Sequence, residues 1–155
     1  PLLEDKRKIG QYDNFSRRNI SKKRFSQESS AFYWMLYNHL YLISHSLVHL
    51  YEVLEENKKY KASKKVKGIF SDIKEFYFGM DEGFFKKDLE SLKRLNAKMN
   101  KYLYEKVQKE LRKSKDSESL VIYYFGELIR LLYKTNTPIL GILLTKNNKE
   151  EKREK

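Results

Sequence analysis

AFYWMLYNHLYLISHSLVHLYEVL, residues 31–54, sets the architecture of this chain. Tyr33, Leu36, Leu40, Ile43, Leu47, Leu50 and Leu54 recur at spacings of three and four, and Phe32, Met35, His39, Leu42 and Val53 form a second stripe beside them. Such spacings place side chains on one side of a rod with about 3.6 residues per turn, so the segment reads as one helix with a wide apolar face. No charged residue stands between Ser29 and Tyr51, a run long enough to raise a membrane span. The polar groups argue against a span. Asn38, Tyr41, His45, His49 and Glu52 gather toward one side, as on a helix with a water-facing edge, and each unpartnered polar group in hydrocarbon costs on the order of 1 kcal/mol or more.

Outward from this helix, expected over about 28–57 with Ser26 or Ser29 as its cap, the same periodicity continues. A shorter helix is predicted over about 63–79, burying Val66, Ile69, Phe70, Ile73, Phe76 and Tyr77; Gly79 and Gly83 bracket Met80, Asp81 and Glu82 and mark a break. A third, about 84–113, sets Phe85, Leu89, Leu92, Leu95, Met99, Leu103, Val107 and Leu111 on one face. A fourth, about 117–145 with Ser117 as cap, buries Val121, Phe125, Leu128 and Leu132 and is expected to kink or end at Pro138, which lacks an amide hydrogen. Short turns between helices favour an all-α, up-and-down four-helix bundle over 26–145. Residues 1–25 show no sustained apolar period and read as an extended or disordered basic leader; 146–155 read as a charged tail.

At 155 residues the chain suits one domain, and only two Pro and six Gly leave little material for turns. Cysteine is absent, which excludes a disulfide framework, a thiolate nucleophile and a zinc knuckle. Because the chain starts at Pro1, it is expected to be cut from something longer. The net charge of +12 is uneven: 1–25 carry eight basic against three acidic side chains, 57–113 carry seventeen against eight, and 26–56 carry four acids and no base. Such a surface favours anionic partners.

Few residues invite chemistry. His45 and His49 stand four apart on one helix, with Glu52 a turn further on, the spacing at which two imidazoles share a metal. No second helix offers the remaining ligands, so the pair reads as bonding to neighbours or water, and His39 as a satisfied core histidine. There is no nucleophile elbow, Walker loop or dinucleotide glycine pattern, so neither an enzyme nor a cofactor is expected. Lys6, Arg7, Lys8, Arg17, Arg18, Lys22, Lys23 and Arg24 are candidate contacts to an anionic partner, with a membrane surface or a merely solubilising tail ranked ahead of nucleic acid. The apolar run Pro138–Leu144 supplies Ile139, Leu140, Leu143 and Leu144 as a candidate dimerisation or docking surface.

SRRNISKKRFSQESSAFYWMLYNHLYLISHSLVHLYEVLEE, residues 16–56, followed by a charged middle and SLVIYYFGELIRLLYKTN, residues 119–136, resembles the PhoU-like domain at the cytoplasmic end of bacterial sodium/phosphate cotransporter family proteins. The likeness spans about 17–144 and rests on helix order, the Ile43–Leu47 stretch and the Glu127–Leu132 stretch. It implies a regulatory domain without enzymatic activity on the cytoplasmic side of the plasma membrane, attached to the transporter's membrane domain in the same polypeptide. PhoU proteins carry a Glu-x-x-x-Asp metal motif on equivalent helices; the matching positions here are Tyr41 with His45 and Arg130 with Lys134, so the metal cluster is not implied. A stand-alone basic bundle binding nucleic acid, or a helical homodimerisation module, are the alternatives.

Overall fold

The computed structural model describes residues 2–22 and 27–151, and every regular element among them is helical. None of these helices is long and apolar enough to cross a membrane. The expected leader is a helix instead: α1 spans Leu2–Ser21. Its face is short of apolar residues but is held by pairs one turn apart, Lys8 with Glu4 at 3.1 Å and Arg17 with Asp13 at 2.7 Å. Ile9, Asp13, Ser16 and Ile20 follow a four-three-four spacing and are half-buried, so a helical stripe exists there even though half of it is polar. α1 lies on α2, Gln27–Glu56, where the Arg17 guanidinium sits 4.5 Å from the Trp34 ring centroid and donates to Asn38 Oδ1 at 3.3 Å. Ser29 is buried within α2 rather than capping it, and Ser26 lies outside the described residues.

α3 spans Lys64–Phe85, with the Ser63 hydroxyl accepting from the Val66 amide at its start. It runs straight through Gly79 and Gly83, so the expected break there is absent. The glycines serve close approach instead: a methyl group on Gly83 would meet the Leu92 side chain at 2.8 Å, and one on Gly79 would meet Leu95 at 3.4 Å. The chain turns after Phe85, where Lys87 takes a φ of 55° and Asp88 Oδ1 accepts from the Ser91 amide at 2.9 Å.

α4, Leu89–Lys101, a π-helical segment, Tyr102–Val107, and α5, Gln108–Lys113, form one continuous rod, since the backbone stays helical at both junctions. Its buried Met99, Leu103 and Val107 are spaced four apart, which overshoots an α-turn at each step. The wider π-turn, in which the Gln108 amide donates to Leu103 O, absorbs that overshoot and keeps the apolar row facing α6.

α6, Asp116–Glu151, is the central strut. It continues past Pro138 and past the expected end at 145, because its flanks are buried on both sides of the proline: Leu132, Ile139, Ile142 and Leu143 are all within the core. Ser117 does not cap it; its hydroxyl donates to Asn57 Oδ1 at 2.8 Å and ties the α2–α3 loop to the start of α6. The core itself is α6 surrounded by α2, α3, α4 and the π-segment. Asn136 is fully buried there and donates to Leu92 O at 2.7 Å, joining α6 to α4.

Candidate functional site

α1 packs on α2, while α3 packs on α4 and α6, and α1 and α3 scarcely touch. The result is a groove of about 540 Å³. Its floor is aliphatic, with Ile73 and the core leucines Leu128 and Leu132. One wall is α2, where Leu40, Ile43, Ser44 and Leu47 recur at helical spacing; the other is α3, with Phe70, Lys74, Tyr77 and Phe78. Ile9, Tyr12, Asp13 and Ser16 of α1, with Tyr37 and Tyr41, complete the rim.

Several of these residues were expected in the core and are not. Leu40 and Leu47 each keep 37% of their surface, and Phe70 and Tyr77 keep 45% and 42%. Phe78 is more exposed still, at 59%, and Tyr12 at 70%. The periodicity assigned them correctly to apolar faces, but none of the described elements covers those faces. Tyr12 and Phe78 were missed altogether; their helical register with Ile9 and Lys74 is the signal that could have found them.

Two charged side chains line the groove. Asp13 Oδ2 accepts from Arg17, while its Oδ1 is buried without a partner among the described residues. Lys74 is exposed and has no ion-pair partner among the described residues. Ser44 turns inward on its own helix, donating to Tyr41 O at 2.7 Å.

The other candidates fall elsewhere. His45 packs its ring on Tyr41 and His49 with centroids 4.3 and 6.4 Å apart, His49 Nδ1 lies 3.0 Å from Glu52 Oε2, and His49 stacks on Tyr124 of α6. No group of three His, Asp or Glu is gathered to hold a metal among the described residues. His39 is not the satisfied core histidine expected: its Nδ1 is buried without a partner among the described residues, and burial first, then the Lys134 ammonium, hold its pKa below the ordinary 6.5. At the positions matched to the PhoU motif, Arg130 is ion-paired with Glu127, and the Tyr41 and His45 rings lie against each other at a tilt of 55°.

Of the basic cluster, Arg7, Lys8 and Arg18 are exposed on α1 and Lys22 just after it, with Lys8 paired to Glu4. Arg17 is committed to Asp13, Asn38 and Trp34, so it is a fastening rather than a free contact. Lys23, Arg24 and the side chain of Lys6 lie outside what is described. The expected Pro138–Leu144 surface is mostly absent: Ile139 and Leu143 are in the core, Leu140 is half-buried against it, and only Leu144 stands out. A helix of 3.6-residue period cannot expose a continuous seven-residue apolar run when neighbours flank it on most sides.

A second hollow of about 380 Å³ lies between the end of α3 and the start of α4. Several charged side chains line it and its cations are mostly spent, Lys86 on Glu82 and Lys98 on Glu75. No family model, curated protein or solved structure matches the chain.

Proposed function

We propose that the chain is a non-catalytic docking and regulatory bundle that works through the groove between α1, α2 and α3. The observation that carries this reading is the uncovered leucine face of α2 opposite the exposed aromatics of α3, in a molecule where the core-facing side of α6 is almost completely buried. Monomeric domains rarely leave apolar side chains contiguous and open unless something binds there. The resemblance in helix order supports a more specific setting: an up-and-down, PhoU-like arrangement of the four rods α2, α3, α4–α5 and α6, beside a sodium-dependent phosphate transporter on the cytoplasmic side of the membrane. The exposed Arg7, Arg18 and Lys22 suit that place, next to anionic headgroups.

The test is phosphate uptake by the full polypeptide carrying Leu40→Glu together with Leu47→Glu. Altered uptake or altered control of it is expected; unchanged transport, regulation and assembly would discard the reading. One observation favours a second reading, single-stranded nucleic acid: Tyr12 and Phe15 are exposed among the cations of α1. It requires binding that weakens steeply with added salt, and a salt-insensitive or absent gel shift removes it.

A further inference from the structure

We infer that the groove takes a long-chain anionic amphiphile, its acyl chain along the leucines of α2 and its headgroup on the Lys74 ammonium; this rests on the groove being the working surface. The volume of about 540 Å³ falls within the roughly 300–1,000 Å³ of small-molecule sites. Its lining is overwhelmingly apolar, and Leu40, Ile43 and Leu47 run along it as an unbroken aliphatic track, which an alkyl chain matches and a polar metabolite does not.

Charge selects the headgroup. Of the two charged lining residues, Lys74 is exposed and without an ion-pair partner among the described residues, so a carboxylate or phosphate there gains a charge-assisted hydrogen bond at little desolvation. Asp13 is the group that would instead call for a cationic ligand. Its other oxygen already holds Arg17 at 2.7 Å, so a cation entering beside it would meet the guanidinium. The chain's net charge of +12 acts in the same direction over longer range.

The experiment is a titration of the protein with palmitate below its micellisation threshold, with uncharged hexadecanol and cationic hexadecyltrimethylammonium as companions. One palmitate per chain is expected, weakened about tenfold by Lys74→Gln, while hexadecanol changes less than about twofold. Lys74→Arg keeps the charge and is expected to retain palmitate. Myristate, two methylenes shorter, should bind roughly fifteenfold more weakly, since each buried methylene is worth about fourfold. Absent palmitate binding, equal binding by wild type and Lys74→Gln, or tighter binding of the cationic amphiphile would overturn the inference. Failure here is separable from failure of the docking role. If Leu40→Glu with Leu47→Glu alters transport while palmitate does not bind, the groove docks something else; if palmitate binds through Lys74 and transport never responds, the docking role is what fails.

Discussion

α6 and α2 look alike as sequence and differ as structure. Both are long, aromatic and aliphatic, and interrupted by polar groups, yet α6 buries Val121, Ile122, Phe125, Leu128, Ile129 and Leu132 almost completely, while α2 leaves Leu40, Leu42, Leu47 and Leu54 partly in water. The difference lies in their neighbours. α6 is met by α2, α3, α4, the π-segment and α5, whereas the outer side of α2 is met by α1 alone, a helix with few apolar residues to give. An apolar stripe therefore guarantees a helix face, and whether the face becomes core or binding surface depends on what the rest of the chain can lay over it.

The largest effect that separates the two faces is a truncation on α6. Leu132→Ala removes a side chain that is 1% exposed and should lower unfolding stability by about 2–5 kcal/mol in a denaturant titration. A loss below about 1 kcal/mol would mean that the α6 side is no better packed than the α2 side. Next comes Gly83→Ala. In an ordinary helix interior this change stabilises by about 1 kcal/mol. Here the added methyl would press on Leu92 at 2.8 Å, so a destabilisation of about 1–3 kcal/mol is expected, and a gain in stability would show that α3 and α4 are further apart than described.

A smaller, pH-dependent effect belongs to His39. Burial and Lys134 disfavour its charged form in the folded state, so the unfolded chain takes up the proton more readily. Stability should therefore be full above about 6.5 and decline as pH falls below it. His39→Gln should flatten that decline; an unchanged pH profile would place the cause elsewhere. The smallest effect is on the groove wall: Leu47→Ala is expected to change stability by no more than about 1 kcal/mol, because much of the side chain is already in water.

The helical class and most of the core could be read from the three-and-four spacing. Val66, Ile69, Ile73 and Phe76 of α3 are core residues, as are Leu92, Met99, Leu103 and Val107 on the α4 rod. The misjudged features share one physical root, dependence on partners distant in sequence. α1 looked unstructured because what fastens it to α2, Arg17 on Trp34 and Asn38, does not show as an apolar period. Gly79 and Gly83 looked like breakers, a role they would have in an isolated peptide, until a second helix pressed against them. Pro138 was expected to end or kink its helix; α6 does not end there, because burial on both sides holds it. The groove was invisible for the same reason, since its walls come from four helices and Phe70, Tyr77, Leu40 and Leu47 carry the same apolar signature as true core.

The most direct measurement is the binding of an environment-sensitive anionic dye such as anilinonaphthalene sulfonate to the native protein, compared with the Leu40→Glu and Leu47→Glu double variant. Saturable binding to the wild type is expected, lost in the double variant, with helical content retained because both side chains keep more than a third of their surface in water. Equal binding by both proteins, or collapse of the variant's helical signal, would show that these leucines are not an open surface and would contradict the groove as the place where this chain works.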